Sequence, residues 1–282
     1  MSEIHPTGKA DSGVALALGS AFLGMYAHGG FLCGLNHAGI FPGHISGASA
    51  GAMAAGFYAA GLRDRKLESA ILCDTLKRSY PDPGMLARLA PMCFMGRLSG
   101  LMHGKRVVRH LEKLLPVAEI ENTPEVKLKI AVTDLRGFSG GFLESGPLAQ
   151  SMMASCSVPL LFTEQRIGET LYHDGGILHQ LPIEPYLRDP SIHTIIIHRI
   201  NYSTRAKRRH LGISAAFSNS HQIMNDSLFA YRQTEAERNG KRVILIETHH
   251  SHPGLFQTKA AKKRFFDAGH GSGLSIRNEL PI

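Results

Sequence analysis

Short apolar stretches alternate with longer amphipathic ones along most of the chain. The apolar stretches have the length of strands buried on both faces, and the amphipathic ones have helical periodicity. The predicted strands cover residues 14–18, 44–46, 126–132, 170–173, 193–200 and 242–248. The predicted helices cover residues 25–38, 52–60, 62–78, 85–102, 105–115, 149–155 and 211–239. Because strands and helices alternate, we predict an α/β fold with a mostly parallel central sheet flanked by helices.

The pattern contains no internal repeat and no low-complexity linker, and a chain of 282 residues is long enough to bury a substantial core. We therefore predict a single domain over residues 13–282. A polar stretch at residues 1–12 predicts a disordered leader in front of it. Residues 62–115 combine charged and methionine-rich helical patterns, and we interpret them as a helical, cap-like insertion.

Composition and charge narrow the class of protein. The formal net charge of +8 suits an anionic partner, either a membrane surface or a nucleic acid. No apolar run reaches the length of a membrane span, no signal sequence is recognisable, and the four cysteines show no Cys-x-x-Cys spacing. These features favour a cytoplasmic protein that is soluble or at most peripheral to a membrane. Basic clusters at residues 205–209 and 259–264 favour contact with anionic lipid.

One short motif has the form of a nucleophile elbow. Gly47, Ser49 and Gly51 form a Gly-x-Ser-x-Gly sequence between a predicted strand and a run of helix formers. Such a turn strains the serine backbone, and glycine two residues to either side avoids steric collisions. The serine then lies at a helix N-terminus, where free amides favour negative charge. Ser49 is therefore the candidate nucleophile.

A serine nucleophile needs a base, and the residues offer two kinds. His249, His250 and His252 follow the last predicted strand and could complete a triad in which an acid and then a histidine come after the serine. Alternatively, a carboxylate could act on the serine directly. Asp174 ends a predicted strand and is followed by an acidic turn formed with Gly175 and Gly176, which would let backbone approach the site.

Several motifs in the same order resemble those of patatin-like phospholipases, over roughly residues 14–182. That family has a glycine-rich loop after its first strand, a Gly-x-Ser-x-Gly elbow and a later Asp-Gly-Gly. The matching segments are the loop Gly19–Gly24 with Tyr26 and Gly29, the elbow Gly47–Gly51, the strand end Val132–Leu135, the segment Ala154–Pro159, and Asp174-Gly175-Gly176 with Pro182.

This resemblance implies a three-layer α/β/α architecture and a serine acyl hydrolase that acts on carboxylic esters of lipids or phospholipids. It implies Ser49 as nucleophile, Asp174 as its base and no catalytic histidine. Backbone amides of Gly19, Ser20 and Ala21, with that of Ala50, would stabilise the oxyanion. No metal or organic cofactor is implied, and the histidines show no recognisable ligand spacing. The expected partner is a lipid substrate at an anionic membrane surface, and no nucleic acid is expected.

The first loop departs from the family pattern. Ser20 and Ala21 replace two glycines and Leu23 replaces a basic residue, and further along Gln180 stands where the family commonly has asparagine. Serine and alanine still carry amides, but they would be strained at any position that requires a positive φ. Two alternatives therefore stay open: a histidine-dependent α/β-hydrolase esterase, and a non-catalytic lipid-binding relative with a degenerate oxyanion loop.

Overall fold

The computed structural model describes residues 10–89, 99–203, 213–251 and 257–279. Within these ranges the strands are β1 (Asp11–Leu18), β2 (Pro42–Gly47), β3 (Gly100–Met102), β4 (Lys127–Asp134), β5 (Ser139–Leu143), β6 (Leu160–Phe162), β7 (Gln165–Ile167), β8 (Thr170–Asp174), β9 (Thr194–Ser203) and β10 (Arg242–Ser251). The helices are α1 (Met25–His37), α2 (Ala50–Ala59), α3 (Asp64–Leu72), α4 (Asp74–Ser79), α5 (Lys105–Leu114), α6 (Leu148–Ser155), α7 (Ile213–Arg238) and α8 (Lys259–Ser275).

The central sheet is mostly parallel, as predicted. Its strands follow the order β10-β9-β1-β2-β4-β8-β7, and β5 pairs with β4 as an additional strand. The pairs from β10 to β4 are parallel, whereas β5, β7 and β8 join antiparallel. A separate small sheet pairs β3 with β6.

Alternate residues of the central strands pack into two cores on opposite faces of the sheet. Leu16 and Leu18 of β1 belong to the larger core, which also contains Phe265 of α8. Ala15 and Ala17 belong to the smaller core, which contains Phe229 of α7. A strand covered on both faces is apolar throughout, which explains the continuous apolar pattern of β1. The three-layer α/β/α prediction is confirmed.

Some predicted boundaries are wrong for identifiable reasons. Strand β1 begins at Asp11, inside the predicted leader, because Asp11 already pairs with Pro42 of β2. The predicted helix over 62–78 is broken at Cys73, whose extended backbone (φ −60°, ψ 123°) separates α3 from α4. The segment 62–115 is not purely helical, since Gly100 begins strand β3. Residues 1–9 of the predicted leader lie outside the described residues.

The register of the sheet brings two loops together. Leu18 at the end of β1 is paired with Gly47 at the end of β2. The two strands are parallel neighbours, so the loops that follow them leave the sheet at the same edge. The loop after β1 contains Gly19–Gly24, and the loop after β2 contains the elbow.

Candidate active site

Ser49 occupies the sharp turn that its motif predicts. It is the N-cap of α2 and has φ 53° and ψ −119°, a conformation that is strained for a residue other than glycine. A Cβ atom at Gly47 would lie 2.6 Å from the Ala52 backbone, and one at Gly51 would overlap the Leu18 carbonyl group. Both glycines are therefore required by close backbone approach, and the geometry is that of a nucleophile elbow.

Asp174 reaches the same place by way of strand β4. On one edge β4 pairs with β5, from Ile130 to Asp134. On the other edge Gly47 of β2 is opposite Ile130, and Asp174 of β8 is opposite Val132, two residues further along. Beyond the end of β2, the same edge of β4 pairs with β8 instead. This pairing places Asp174 beside the elbow.

The backbone of Asp174 is fixed by two residues from the motif segments. Its N–H donates to the Ser157 carbonyl oxygen at 3.1 Å. Its carbonyl oxygen accepts a hydrogen bond of 2.9 Å from the Thr133 hydroxyl. Gly175 is required next to it, because a Cβ atom there would overlap the Ala131 carbonyl oxygen. The carboxylate is therefore held by a rigid strand end and not by a mobile loop.

The Asp174 carboxyl group is buried and only partly hydrogen-bonded. The residue is 4% exposed, and Oδ1 accepts a hydrogen bond of 2.7 Å from the Gly176 amide. Oδ2 is buried and accepts no hydrogen bond of ordinary geometry among the described residues, although the Ser49 hydroxyl lies close enough to the carboxyl group to affect its pKa. Burial raises the pKa of Asp174 to about 7, against the lowering effects of the Ser49 hydroxyl and the Gly176 amide. A carboxylate of this kind can act as a base near neutral pH.

The serine itself is anchored by two residues whose role the sequence did not reveal. The Ser49 N–H donates to the buried Ser155 hydroxyl at 2.9 Å. The Cys156 thiol donates to the Ser49 carbonyl oxygen at 3.0 Å. Burial and the nearby Asp174 raise the pKa of Cys156 well above its usual value, so the thiol stays protonated and acts as a donor. The only sequence signal was the resemblance of Ala154–Pro159 to a family segment.

Two of the three predicted oxyanion amides in the first loop already donate to carbonyl groups. The Gly19 N–H donates to His198 at 3.1 Å, and the Ser20 N–H donates to Gln180 at 2.7 Å. The amides of Ala21 and Ala50 form no hydrogen bond within the described part of the chain. These two are therefore the donors that remain available to a bound oxygen atom.

The residue of this loop that has a strained backbone is Leu23, and not Ser20 or Ala21. Ser20 and Ala21 have negative φ angles, whereas Leu23 has φ 55°. Replacing glycine by serine and alanine at positions 20 and 21 therefore causes no backbone strain. The loop is closed by a hydrogen bond of 3.0 Å from the Gly24 amide to the Ala21 carbonyl oxygen. It is also tied to β9, because the Tyr202 hydroxyl donates to the Phe22 carbonyl oxygen.

The Gly19 carbonyl group is held by a pair of buried, hydrogen-bonded histidines, His28 and His198. His28 Nε2 lies 2.8 Å from the Gly19 carbonyl oxygen, which only accepts, so this nitrogen carries the proton. Burial lowers the pKa of His28 to about 3, and the neutral ring must then accept at Nδ1 from His198 Nδ1, 2.8 Å away. Both rings are fully buried. The pair therefore fixes the orientation of the first loop without contacting the candidate nucleophile.

The histidines predicted for a triad lie elsewhere. His249 is exposed and lies 3.7 Å from Glu247, and His250 stacks on Phe265. In the parts of the chain that the structure describes, neither is hydrogen-bonded to Ser49. His252 lies outside the described residues. Across those same ranges, no group of three His, Cys, Asp or Glu side chains is arranged to hold a metal ion.

The basic clusters differ from the sequence-based expectation. Residues 205–209 lie outside the described residues. In the other cluster, Lys262 is buried and paired with Asp74 at 2.6 Å, and Lys263 is paired with Glu68 and Asp267. Two of its four cations are thus neutralised within the protein. No helix among the described residues is long and apolar enough to cross a membrane.

Comparison with known proteins gives consistent results. A family model described as Patatin-like phospholipase matches residues 16–187. Uncharacterized NTE family proteins of Mycobacterium bovis and of two strains of Mycobacterium tuberculosis are each 29% identical over 178 residues, 63% of this chain and 46% of the relative. The match thus spans less than half the length of these relatives. Among solved structures, VipD from Legionella pneumophila has a TM-score of 0.51 and 16% identity, covering 94% of this chain and 66% of VipD, which shows a similar fold.

Proposed function

The chain belongs to the patatin-like phospholipase family, and we propose that it is a lipid acyl hydrolase with Ser49 as nucleophile and Asp174 as base. The substrate would be a carboxylic ester of a lipid or phospholipid. The observation that carries this proposal is the buried Asp174 carboxyl group beside the elbow, with its pKa raised to about 7 and Oδ2 accepting no hydrogen bond of ordinary geometry among the described residues. A base near neutrality next to an elbow serine is what acyl transfer requires.

In the first step, the Ser49 oxygen attacks the ester carbonyl carbon while its proton passes to Asp174 Oδ2. The carbonyl oxygen becomes an oxyanion, and the free amides of Ala21 and Ala50 are the proposed donors to it. The Ala50 amide belongs to the first turn of α2, whose positive dipole end also favours the developing charge. Gly19 and Ser20 contribute by shaping the loop, since their own amides donate elsewhere.

In the second step, the tetrahedral intermediate collapses and the C–O bond to the leaving alcohol breaks. Asp174 returns the proton to that alcohol, which leaves an acyl ester on Ser49. Water then attacks the acyl group and gives its proton to Asp174, and Ser49 recovers its proton as the carboxylic acid departs. The same carboxylate thus serves as base and acid in both halves of the reaction.

The proposal includes peripheral contact with an anionic membrane, where a phospholipase finds its substrate. The net charge of +8 supports this contact. In the cluster at residues 259–264, only Lys259 and Arg264 remain without an ion pair among the described residues. At about 1 kcal/mol per basic residue, this cluster alone would give weak, salt-sensitive binding.

Three variants test the assignment of the dyad, with hydrolysis of a short-chain nitrophenyl ester as the measurement. Ser49→Ala should abolish turnover, and Asp174→Asn, which keeps the size of the side chain but not its basicity, should reduce it by about 10,000-fold. Changing His249, His250 and His252 together to Ala should cost little. If the histidine variant is inactive and Asp174→Asn is active, the protein is a histidine-dependent esterase.

Labelling with a serine-reactive phosphonate distinguishes a catalytically active Ser49 from a non-catalytic, lipid-binding protein. We expect stoichiometric labelling of the native protein and none of Ser49→Ala. Circular dichroism and thermal unfolding serve as the control, because both proteins should be equally folded. A native protein that is folded but neither labelled nor active would favour the non-catalytic, lipid-binding alternative.

A further inference from the structure

A cleft of about 320 Å³ between α4 and α5 is lined by seven residues, of which four carry a positive charge: Arg78, Arg106, Arg109 and Lys113. It lies outside the candidate active site and contains none of the residues proposed for catalysis. Its charged lining comes from one arginine of α4 and from one face of α5. The lining residues that matter here are Thr75, Arg78, Arg106, Arg109, His110 and Lys113.

Helix geometry explains why these charges converge. Helix α5 buries Val107 and Leu111 against the larger core, which turns its opposite face outward. Residues 106, 109, 110 and 113 are spaced i, i+3, i+4 and i+7, so they share one stripe of the helix surface. Like charges at these spacings repel one another and destabilise a helix. Arg78 of α4 adds a further positive charge to the same cleft.

No carboxylate among the described residues lines this cleft. The pKa of Asp74 is lowered mainly by its pairing with Lys262 and also by Arg78, so Asp74 offsets only part of the charge of that one arginine. Arg78, Arg106, Arg109 and Lys113 form no ion pair within the described ranges, and no acidic residue from them lines the cleft. The acid of α5, Glu112, lines a neighbouring cleft instead. The acid at the start of α4, Asp74, is already paired with Lys262 at 2.6 Å.

The neighbouring cleft provides an internal comparison. It has a volume of about 570 Å³ and shares Arg109 with the basic cleft. There the cations Lys105, Arg109 and Arg166 are accompanied by Glu112 and Glu164. Adjacent clefts built partly from the same helix thus differ in charge balance: the larger one has three cations and two carboxylates, whereas the smaller one has four cations and no carboxylate.

We propose that the smaller cleft binds a compact ligand that carries two or more phosphate groups. A phosphate monoester carries about −1.5 to −2 charges at neutral pH, so two of them match four cations. Three arginines carry forked N–H donors that suit phosphate oxygens, although Arg106 Nη1 already donates to the Pro81 carbonyl oxygen at 2.8 Å. The Thr75 hydroxyl is engaged within the protein, 2.7 Å from the Cys73 sulfur and 3.3 Å from His110 Nε2. Among the described lining residues the only ring is the His110 imidazole, and no Phe, Tyr or Trp is present to stack on a base, which disfavours single-stranded nucleic acid. This site does not depend on the chemistry proposed for Ser49.

Calorimetric titration with inositol trisphosphate tests the site on the full chain. We expect saturable binding that weakens at least about tenfold in the double variant Arg106→Gln/Arg109→Gln, since charged hydrogen bonds are lost. The matched control is Lys66→Gln/Lys127→Gln, which removes two exposed charges outside the cleft and should bind within about twofold of the native protein. All these side chains are exposed, and thermal unfolding verifies that each variant is folded.

A second arm distinguishes a lipid headgroup from a soluble ligand. Vesicles with phosphatidylinositol bisphosphate are compared with phosphatidylserine vesicles of equal surface charge. Preferential recruitment to the bisphosphate vesicles, lost in the cleft variant, identifies a lipid headgroup. Binding of the trisphosphate without vesicle recruitment identifies a soluble ligand, and both results support the site. Absence of trisphosphate binding, equal losses in the two double variants, or tighter binding of a single-stranded oligonucleotide overturns it.

Discussion

The loops after β1 and β2 leave neighbouring strands side by side, yet they are stabilised in different ways. Each contains one strained residue other than glycine, Leu23 at φ 55° and Ser49 at φ 53°. Around Ser49 the strain is accommodated mainly by nearby backbone, because Gly47 packs against Ala52 and Gly51 against the end of β1. The glycine spacing that this close packing requires is local, so the turn is recognisable as a motif even though Ser155 and Cys156 also bond the Ser49 backbone.

The loop after β1 depends on residues that are remote in sequence. Its amides donate to the carbonyl oxygens of Gln180 and His198, and its Gly19 carbonyl oxygen accepts from His28. The Tyr202 hydroxyl bonds the Phe22 carbonyl oxygen. Because distant partners fix its shape, this loop tolerates serine and alanine where the family commonly has glycine. Departure from a motif therefore means less in this loop than it would in the elbow.

Among the variants that test this comparison, we expect the largest loss of activity from a substitution of Gly51. A Cβ atom there would overlap the Leu18 carbonyl group, so Gly51→Ala must move either the elbow or the end of β1. Because a shift of about 1 Å can cost about 100-fold and both nucleophile and oxyanion donors would move, we expect activity to fall by about 1,000-fold or more. Overpacking should also destabilise the fold by about 1–3 kcal/mol.

The control for this prediction is Gly271→Ala in α8, where no atom lies within 4 Å of the added Cβ. Alanine is a better helix former, so the control should keep full activity and gain up to about 1 kcal/mol of stability. Ester hydrolysis and chemical denaturation measure both variants. Near-native activity of Gly51→Ala would mean that the elbow is not sterically determined.

The next largest loss of activity is expected when the hydrogen bond from His28 to the first loop is removed. His28→Leu removes the donor to Gly19 and leaves a buried carbonyl oxygen without its partner. We expect a decrease of about 100-fold in kcat with a smaller change in KM, because the Ala21 amide would lose its alignment. His28→Gln keeps a donor of similar reach and should stay within about tenfold of native activity. Equal losses in the two variants would indicate a packing role only.

The sequence contained enough information for most of the fold. Most of β1 and the middle of β4 are buried on both faces, so their apolar stretches are strong local signals. The short strands β3 and β6 were missed because they form only by pairing with each other, and Gly100 is required by the close approach of Phe162. The break at Cys73 was also missed, because the amphipathic pattern continues from α3 into α4.

The residues of the candidate site also differ in whether a local sequence signal or a distant partner determines their position. Ser49 could be predicted because glycine spacing and a helix start are local signals. Asp174 could be listed as a candidate base, but choosing it over the histidines after β10 required the resemblance to a family. The supporting contacts of Ser155 and His28 could not be predicted, since each depends on a partner brought close only by folding.

A smaller change in hydrolytic activity is expected when the pH is varied. Burial raises the pKa of Asp174 to about 7, and the carboxyl group must be ionised to act as base. Activity should therefore rise about tenfold between pH 6 and pH 8 and level off above. Hydrolysis of a soluble ester across this range measures it, and a profile that levels off below pH 5 would contradict the role of Asp174.

The same pKa shift makes a prediction about stability with the opposite sign. Because the folded-state pKa of Asp174 lies above the ordinary aspartate value of 3.8, the folded protein binds the proton more tightly than the unfolded chain. The contribution of this residue to stability is therefore full below pH 4 and is lost as pH rises to about 7. Asp174→Asn should remove this dependence, which urea denaturation at several pH values would detect.

The smallest effect is expected where the first loop departs from its family. Ser20 and Ala21 have negative φ angles, so replacing both with glycine relieves no strain. The Ser20 amide would still donate to Gln180, and the Ala21 amide would stay free, because both groups belong to the backbone. Ser20→Gly/Ala21→Gly should therefore change turnover by less than about tenfold, well below the loss of one oxyanion donor. A gain of about 1,000-fold would show instead that the native loop is misshapen, and would favour a lipid-binding protein without catalytic activity.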